Sequence, residues 1–427
     1  MKVLVVGGGG REHAIVRALA RSPLAPELVC TPGNAGIAGD ARCIDADAGD
    51  VGALVSAARD EAADLVVVGP EAPLVAGLVD ALGAAGIAAF GPSAAAAQLE
   101  GSKLHAKQLM AEAGVPTAAH VVLTSRDQAL DELARASYPV VLKADGLAAG
   151  KGVVICASQD EAREAIEVFF VERRFGETAV VLEEHLVGEE LSLLALCDSE
   201  NVLMLAPAQD YKRIGDGDEG PNTGGMGSYS PVPEADPTRV EEIADLVHRP
   251  VLEALRDRGT PYHGVLYAGL MMTAQGPKVL EFNCRFGDPE TQAVLPRLES
   301  DLLDLFEAAL EPGGLGGAAA DFADDWAVTV VLASRGYPAS SSKGDAITGL
   351  DDAAALERVE VTHAGTALRG GEIVTAGGRV LNVTALAPSP DAARRRAYDA
   401  AAMIDFDGKQ MRTDIAARAV DRVAAGR

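Results

Sequence analysis

The residues best suited to chemistry lie in the stretch LEFNCRFGDPE, at positions 280–290. Alternate side chains of an extended strand point to one face, so Glu281 and Asn283 would present two oxygen ligands toward a common point. Two protein oxygens, completed by phosphate and water, are how proteins usually hold magnesium. Arg285 and Asp288 follow directly, and such a concentration of charge is costly unless it meets a ligand. The alternative is a surface acid on an edge strand followed by an unrelated turn.

A second stretch, KADGLAAGKG at 143–152, has the composition of a phosphate-binding loop. Its glycines would let backbone N–H groups approach phosphate oxygens, and Lys143 would supply a fixed positive charge. The spacing excludes a Walker loop, because only three residues separate Gly146 from Gly150 and glycine follows Lys151. For the loop alone, a plain glycine turn between two strands is an equally good interpretation.

A third stretch, GGGGREH at 7–13, follows an apolar run and precedes a helical pattern. Gly8 and Gly10 fit the first two glycines of a dinucleotide fingerprint, but His13 stands at the third position. The second strand is followed by PGNAG and not by an acid for a ribose, so the nicotinamide interpretation lacks its confirming features. A helix N-terminus with Arg11 beside it suits a phosphate or another small anion. A purely structural turn is the alternative.

The stretch VVLEEHLVGEE at 180–190 ends a strand in carboxylates. Solvated acids after a strand are common, so in isolation this signal is weak. Beside a phosphate-binding loop, Glu183 and Glu190 become candidates to meet adenine donors and ribose hydroxyls. The seven histidines show neither metal-cluster spacing nor a neighbouring candidate nucleophile, so none is given a catalytic role.

The hydrophobic pattern indicates which elements must position these residues. Over the first hundred residues, short apolar runs such as VLVV and LVVV alternate with alanine-rich stretches at helical period, which is typical of a parallel βαβ sheet. In a doubly wound sheet, the glycine-rich turns that end the strands lie along one edge, where ligands bind. The alanine-rich stretches predict helices at 11–21, 50–62, 74–85 and 94–99.

A break at LEGSK, 99–103, opens a new unit that begins with a predicted helix at 103–113. An α+β module follows, with strands near residues 121, 140, 153 and 180. The polar, glycine-rich stretch 216–231 is predicted to lack regular structure, and EPGGLGGAAA at 311–320 is interpreted as a linker. The rest is predicted to form a small α/β domain with strands at 327–332 and 379–386.

Composition limits the class of partner. The chain has 427 residues and a formal net charge of −26, which argues against nucleic acid or an anionic membrane surface as a partner. The five cysteines are scattered and form no C-x-x-C pair, which favours a reduced, cytoplasmic protein. No apolar stretch is long enough for a signal-peptide core or a membrane span.

Taken together, these stretches resemble the ATP-grasp ligases, and among them the enzymes that join glycine to 5-phosphoribosylamine. The resemblance rests on VLVVGGGGREHA, PGNAG, VVGPEAPLVAG, FGPSAAAAQLEGSK, KADGLAAGKGV, GPNTGGMGSYSP, LYAGLM, EFNCRFGDPETQ and HAGT, in that order. It implies a multidomain protein of α/β and α+β class. The expected parts are an N-terminal parallel βαβ (pre-ATP-grasp) domain at 1–102, a two-subdomain ATP-grasp core at 103–318 with a mobile subdomain at about 121–188, and a small C-terminal α/β domain at 326–427.

The resemblance also implies the ligands and the residues that contact them. The substrates would be ATP, glycine and 5-phosphoribosylamine, the cofactor Mg²⁺ or Mn²⁺, and the enzyme a monomer. Glu281 and Asn283 would hold the metal, and Arg285 would be catalytic. The ATP contacts would be Lys103, Lys143, Gly150, Lys151, Gly152, Glu183, Glu184, Leu186 and Glu190. The substrate contacts would be Gly8, Gly10, Arg11, Glu12, Gly33, Asn34, Glu71, Asn222, Arg285 and Asp288.

Two departures and two alternatives accompany this hypothesis. The last domain has GYPASSSKG at 336–344 where the family usually shows GYPGDY before a Lys-Gly pair, so its contacts are not predicted. The strand LYAGLM carries no carboxylate, so a second metal would need ligands from nucleotide and water. The alternatives are a nicotinamide-dependent oxidoreductase built on residues 1–100, and a nucleotide-sensing protein that keeps the fold without catalysis.

Overall fold

The structure, a computed structural model, describes residues 1–148 and 152–426. The predicted ATP contacts Gly150 and Lys151 lie outside the described residues. The protein is built from four main sheets, of which the first is parallel, the next two are antiparallel and the last combines strands from the middle and the end of the chain.

The N-terminal sheet is parallel, as the sequence predicts, because its valine-rich strands are covered by helices on both faces. Its strands are β1 (Lys2–Gly7), β2 (Glu27–Pro32), β3 (Arg42–Cys43), β4 (Leu65–Val68) and β5 (Ala88–Phe90), in the order β3-β2-β1-β4-β5. Its helices are α1 (Gly10–Ala20), α2 (Ile37–Asp40), α3 (Val51–Asp60), α4 (Glu71–Val75), α5 (Leu78–Ala84) and α6 (Ala94–Gly101). The single helix predicted at 74–85 is two helices, because Gly77 between them adopts a left-handed conformation with φ of 90°.

The second unit is an antiparallel sheet with helices on one face. It follows α7 (Lys103–Ala113) and contains β6 (His120–Leu123), α8 (Arg126–Leu133), β7 (Val140–Ala144), β8 (Val153–Cys156), α9 (Gln159–Ile166) and β9 (Val180–Glu184). The sheet order is β6-β9-β7-β8. Leu142 and Leu182 point into the apolar core beneath the helices, so the alternating residues Lys143 and Glu183 lie on the opposite face. All four strands predicted here are confirmed.

The central unit provides the strand that carries Glu281 and Asn283. Its strands are β10 (Glu189–Asp198), β11 (Val202–Met204), β12 (Gln209–Asp210), β13 (Arg213–Gly215), β14 (Glu219–Asn222), β15 (Gly227–Ser230), β16 (His263–Thr273) and β17 (Gly276–Asn283). Its helices are α10 (Pro237–Ile243), α11 (Arg249–Asp257), α12 (Glu290–Val294) and α13 (Leu302–Ala309). The central sheet has the order β11-β10-β16-β17.

The prediction that 216–231 lacks regular structure was wrong. A 3-10 turn, Asp216–Asp218, joins β13 to β14, and β15 follows. The glycines that suggested a loop allow the tight connections, since Gly217 and Gly225 have φ of 69° and 113°. The polar side chains find partners elsewhere in the protein, as described below.

The C-terminal unit shares its sheet with the middle of the chain. It adds β18 (Trp326–Ala333), β19 (Val359–His363), β20 (Thr366–Arg369), β21 (Glu372–Thr375) and β22 (Arg379–Ala387), together with α14 (Leu350–Ala354), α15 (Pro390–Met403) and α16 (Ala417–Ala424). Its sheet has the order β12-β15-β18-β22-β19, so two strands come from before residue 231. The interpreted linker at 311–320 is anchored by Leu315, which is buried and donates its N–H to Asp198 at 2.7 Å. Within the described residues, no helix combines the length and apolarity that crossing a bilayer requires.

Candidate functional site

The predicted metal ligands lie at the end of β17, with the alternation that the sequence predicts. Glu281 is exposed and Asn283 has only 8% of its surface exposed, while Phe282 and Cys284 are buried in the core. The pairing of β16 with β17 shifts here, because Gly269 faces Glu281 whereas Leu270 faces Val279. This bulge leaves Leu280 without a partner in β16.

Arg285 connects these ligands to the N-terminal unit. Its Nη2 donates to Oδ1 of Asn283 at 3.0 Å, and its Nε donates to Oε2 of Glu71 at 3.3 Å. Nη2 also lies 3.1 Å from Oε1 of Glu100. Burial raises the pKa of Glu100, although Arg285 acts against that shift. The structure therefore brings Arg285, Asn283 and Glu71 together, and it adds Glu100, which the sequence stretch LEGSK contained but did not distinguish.

Positive charges surround the Glu281 carboxylate. Although the Glu281 side chain is open to solvent, the surrounding protein partly desolvates its carboxylate and would raise its pKa, but Lys212 and Lys143 lead a set of cations that lower the pKa below its ordinary value. Lys212 was not predicted from the sequence. Its Nζ lies 3.0 Å from Oδ2 of Asp210, so that carboxylate holds the ammonium in place. An ionised Glu281 is the form that binds a divalent cation.

The lysines predicted to contact phosphate are held by carbonyl and carboxylate oxygens. Lys143 Nζ lies 2.9 Å from Glu183 and donates to the Leu280 carbonyl at 3.0 Å. The second oxygen of Glu183 lies 3.0 Å from Lys107 Nζ, so this buried carboxylate sits between two lysines. Lys103 Nζ donates to the carbonyl of Gly146 at 2.9 Å, and burial lowers the pKa of Lys103. Lysine ammonium groups thus flank the described start of the glycine loop.

The remaining predicted ATP contacts follow β9 and the connection to β10. Glu184 accepts hydrogen bonds from the Ala119 N–H at 3.0 Å and from Lys278 Nζ at 2.8 Å. Leu186 is buried, and burial raises the pKa of Glu190. Gly152 accepts at its carbonyl from the Ala144 N–H at 2.8 Å, which closes the ends of the loop.

The predicted substrate contacts of the N-terminal unit form two adjoining turns. A Cβ on Gly8 would lie 2.4 Å from the Gly33 carbonyl oxygen, so the two turns are in close contact. Asn34 donates to the carbonyls of Gly8 at 3.0 Å and His363 at 2.8 Å. Among the described residues, Asn34 makes no hydrogen bond to the group around Arg285, and its side chain shapes the turn and contacts the C-terminal unit.

The first turn of α1 is similarly packed. Glu12 accepts from the Gly9 N–H at 2.7 Å and from Arg11 Nε at 2.6 Å. Arg11 also donates to the Phe286 carbonyl at 3.3 Å. Both side chains are buried, and a Cβ on Gly10 would meet Asn382. The structure therefore brings Gly8, Gly10, Arg11 and Glu12 close to the segment that follows β17.

The C-terminal unit contributes residues that the sequence did not predict. Arg379 donates to Oδ2 of Asp288 at 2.9 Å and to its carbonyl oxygen at 2.7 Å. The Gly224 N–H donates to the Tyr337 hydroxyl at 3.0 Å, and Tyr337 belongs to the departing GYPASSSKG stretch. Asn222, at the end of β14, is next to this turn. The C-terminal unit thus makes hydrogen bonds both to Asp288 and to the glycine loop after Asn222.

The donor set at β17 suits a hard cation. In the described parts of the chain, three or more His, Cys, Asp or Glu side chains nowhere converge as a metal site. A divalent ion here would take oxygen from Glu281 and Asn283 and complete its shell with nucleotide and water, which is the usual arrangement for magnesium. The surrounding lysines and Arg285 could offset the charge of a phosphoryl group. The site can therefore support phosphoryl transfer to an oxygen acceptor.

Comparison with known families covers nearly the whole chain. Residues 1–100 match the N domain of phosphoribosylglycinamide synthetase, residues 101–291 match its ATP-grasp (A) domain, and residues 327–418 match its C domain.

Individual proteins that resemble this chain indicate the same family. The phosphoribosylamine–glycine ligase of Streptomyces coelicolor is 52% identical over 421 residues, covering 98% of this chain and 99% of the relative. The enzyme of the same name from Brucella melitensis is 48% identical over the full length of both chains. The crystal structure of phosphoribosylamine–glycine ligase from Thermotoga maritima has a TM-score of 0.84 at 35% identity, covering 97% of this chain and all of that one. The biotin carboxylase domain of Hydrogenobacter thermophilus 2-oxoglutarate carboxylase has a TM-score of 0.71 at 18% identity over 96% of this chain and 91% of that one, which shows a shared fold.

Proposed function

This chain belongs to the phosphoribosylglycinamide synthetase family of ATP-grasp ligases, and from that membership we propose that it uses ATP to join glycine to 5-phosphoribosylamine. The products are glycinamide ribonucleotide, ADP and phosphate, and the step belongs to purine biosynthesis. The observation that carries the proposal is the pair of cations held on either side of Glu281, where a phosphoryl group would be transferred: Lys143 donates to the Leu280 carbonyl at 3.0 Å and Arg285 donates to Oδ1 of Asn283 at 3.0 Å. Neither the oxidoreductase nor the sensor hypothesis has support from the relatives, which are named as ligases.

The chemistry requires an activated acceptor. The carboxylate of glycine has no tolerable leaving group, so an amine does not attack it at neutral pH. One glycine oxygen attacks the γ-phosphorus of ATP, the bond from that phosphorus to the β–γ bridging oxygen breaks, and glycyl phosphate and ADP form. The amine of 5-phosphoribosylamine then attacks the acyl carbon and phosphate leaves, with loss of a proton from nitrogen. Positioning and electrostatic stabilisation account for the catalysis, without a covalent enzyme intermediate.

Lys103 and Lys143 bind the phosphates of ATP, and Gly150, Lys151 and Gly152 are further proposed ATP contacts. The buried carboxylate of Glu183 holds Lys143 in place, since their charged atoms are 2.9 Å apart. The remaining ATP contacts are Glu184 at the end of β9, Leu186 in the connection that follows it, and Glu190 at the start of β10. We assign the nucleotide to the cleft between the antiparallel sheet of β6–β9 and the central sheet.

Mg²⁺ or Mn²⁺ is the proposed cofactor, and Glu281 and Asn283 are its protein ligands. When bound, such an ion neutralises negative charge on the phosphates and polarises them toward attack. Arg285 keeps the Asn283 amide oxygen oriented through a 3.0 Å hydrogen bond and places its remaining charge near the acceptor carboxylate. Arg285 is therefore both the proposed catalytic residue and a glycine contact.

The acceptors are proposed to bind on opposite sides of Arg285. The turns containing Gly8, Gly10 and Gly33, with Arg11, Glu12, Asn34, Glu71 and Asp288, form the phosphoribosylamine side. Glycine lies between Arg285 and Asn222. In this proposal residues 1–102, 103–318 and 326–427 act as substrate, ATP-grasp and supporting domains, and the enzyme works as a cytoplasmic monomer.

The test is acceptor-dependent turnover. Purified protein is supplied with ATP, Mg²⁺, glycine and freshly generated 5-phosphoribosylamine, and ADP and glycinamide ribonucleotide are quantified by mass spectrometry. We expect one nucleotide product per ADP, and loss of steady ADP release when either acceptor is omitted. ADP release that is unchanged without glycine would overturn the proposal. Replacing glycine by alanine or β-alanine tests whether the site is matched to the smallest amino acid.

A further inference from the structure

A buried arginine near the C-terminus fastens a hairpin that belongs to the middle of the chain. The hairpin comprises β13, the 3-10 turn and β14, residues 213–222. Arg412 has 1% of its surface exposed, and its Nε and Nη2 donate to the two carboxylate oxygens of Asp414 at 2.7 and 2.6 Å. Its Nη1 donates to Asp218, in the hairpin, at 2.8 Å. The guanidinium also lies over the Tyr211 ring, 4.7 Å from the centroid.

Three neighbouring contacts tie the same segment to the hairpin. The Thr413 N–H donates to Asp216 at 2.7 Å, and Asp414 accepts from the Gly217 N–H at 2.9 Å. Arg418 donates to the second oxygen of Asp218 at 2.7 Å. We call the residues Arg412, Thr413, Asp414 and Arg418 the clasp. The clasp satisfies both acidic side chains and one backbone N–H of the hairpin turn.

The base of the hairpin enters the proposed site. The Lys212 carbonyl accepts from the Thr223 N–H at 2.7 Å and from its hydroxyl at 2.9 Å, which closes the hairpin directly before and after its strands. The Lys212 ammonium is paired with Asp210 at 3.0 Å, and Gln209, the other residue of β12, donates to the carbonyl of the proposed ATP contact Glu190 at 2.7 Å. Asn222, proposed to contact glycine, is the last residue of β14. The clasp therefore lies at one end of the hairpin, and Lys212 and Asn222 lie at the other.

The buried guanidinium of Arg412 depends on its carboxylate partners, because a buried charge that loses one partner is strongly destabilising. Two of the Arg412 nitrogens are used within the clasp, but Nη1 is directed to the hairpin. We propose that Arg412 is a positioning residue, which fixes the hairpin so that Lys212 and Asn222 shield glycyl phosphate from water until the amine attacks. This inference rests on the proposed function.

Loosening the hairpin has a specific chemical consequence. Water, instead of the amine, would attack the acyl carbon of glycyl phosphate, the carbon–oxygen bond to phosphate would break, and glycine and phosphate would be released. ATP is then consumed without product. The ratio of ADP to glycinamide ribonucleotide would rise above one, which a loss of stability alone does not produce because unfolded enzyme makes neither.

The experiment measures that ratio in Arg412→Lys, Arg412→Met and Asp218→Asn. Lysine keeps the positive charge but cannot make the two-nitrogen contact of the guanidinium with Asp414. Asp218→Asn keeps Arg412 and its pairing with Asp414. The matched control is Arg395→Met, because Arg395 is an exposed arginine of the same unit that pairs with Asp391 along α15. Each protein is assayed with saturating ATP, glycine and 5-phosphoribosylamine, and its thermal midpoint is recorded.

We expect the fraction of ADP formed without product to rise roughly tenfold in Arg412→Met, equivalent to about 1.4 kcal/mol of lost discrimination. Arg412→Lys and Asp218→Asn should show smaller increases, and Arg395→Met none. A ratio that stays at the wild-type value in both Arg412→Lys and Asp218→Asn would overturn the inference, even if their rates fall. Should Arg412→Met fail to fold, the other two variants decide the outcome. Wild-type protein that releases ADP without glycine would instead refute the proposed function.

Discussion

The ammonium of Lys143 lies 2.9 Å from the carboxylate of Glu183, on the face of the β6–β9 sheet turned away from its helices. Lys107 approaches the other oxygen of the same carboxylate at 3.0 Å. Lys143 also donates to the Leu280 carbonyl at 3.0 Å, directly before Glu281. The lysine predicted to bind phosphate thus connects the smaller sheet to the strand that carries the metal ligands, and Glu183 determines where its charge lies.

Glu183→Gln should therefore lower the stability of the folded protein more than a surface substitution does. Two ammonium groups would lose their shared buried counter-charge, and breaking such a buried pair costs about 3–5 kcal/mol. We expect a lower thermal midpoint, with partial recovery when Lys107→Met is added, because one unpaired charge is then removed. Glu177→Gln is the control, since Glu177 pairs with Arg173 at the surface, and it should have little effect. Equal midpoints for Glu183→Gln and the control would contradict this prediction.

Glu281→Gln tests the proposed metal site. The substitution keeps the size of the side chain and one oxygen but removes the charge that a divalent cation requires. Glycine-dependent ADP release should fall roughly a hundredfold or more, because electrostatic stabilisation of the transferred group depends on that cation. Raising the Mg²⁺ or Mn²⁺ concentration should restore part of the activity.

The fold of the Glu281→Gln variant should be preserved, since Glu281 is exposed in the cleft. Its circular dichroism spectrum and thermal midpoint serve as the check. Glu372→Gln, at an exposed end of β21, is the matched control and should retain wild-type turnover. If Glu281→Gln kept normal turnover across the metal titration, the metal would have to bind elsewhere.

Gly8→Ala tests the contact between the two N-terminal turns. A methyl group would lie 2.4 Å from the Gly33 carbonyl oxygen, so the turns must move apart. We expect the KM for 5-phosphoribosylamine to rise at least about tenfold, because misplacing substrate contacts by about 1 Å carries penalties of that order or more. The KM for ATP should change little.

The matched control for that variant is Gly39→Ala. A Cβ on Gly39 meets nothing within 4 Å, so it tests the general effect of adding a methyl group to this unit. Steady-state kinetics with each substrate varied in turn distinguish the two variants. A KM for phosphoribosylamine that is the same in both would show that the close approach of the turns does not shape that site.

Local patterns in the sequence predicted the strand positions of several candidate site residues. The two-residue period of a strand correctly placed Glu281 and Asn283 on one face, with Phe282 and Cys284 buried. The parallel N-terminal sheet followed from valine-rich runs between helical stretches. The bulge at Leu280 carries no residue signature, because it arises from pairing with β16.

Residues whose role depends on distant partners were missed for a physical reason. Arg379 is 91 positions from Asp288, and Arg412 is 194 positions from Asp218. The polar composition of 216–231 predicts a loop when considered alone, yet the clasp supplies partners that stabilise a hairpin. The position of Lys212 depends on the pairing of β12 with β15 in the C-terminal sheet, which the local sequence does not indicate. Long-range pairing of this kind cannot be predicted from periodicity.

A buried histidine pair joins the N-terminal and C-terminal units and makes their contact sensitive to acid. The backbone N–H of His363 donates to Nδ1 of His13 at 2.8 Å, so Nε2 of His13 carries the proton and donates to Asp40 at 2.8 Å. His363 is also packed against Gly36, where a Cβ would lie 2.3 Å from its ring. Burial lowers the pKa of His363 from 6.5 to about 3. The interface therefore requires neutral imidazoles.

The sign of the pH dependence follows from that shift. Between pH 6.5 and about 3 the unfolded chain binds a proton at His363 that the folded protein does not. The free energy of unfolding is therefore unaffected by this site above pH 6.5 and declines as the pH falls below it. One such site contributes a slope of about 1.4 kcal/mol per pH unit within the window. His363→Asn, which keeps a polar side chain next to Thr366, removes that titration and should flatten the decline of the thermal midpoint between pH 7 and pH 5. Above pH 7, the difference in thermal midpoint between the variant and the wild type should stay constant, which serves as the control. A variant whose midpoint declines as steeply as that of the wild type would show that the histidine pair does not confer the acid sensitivity of this interface.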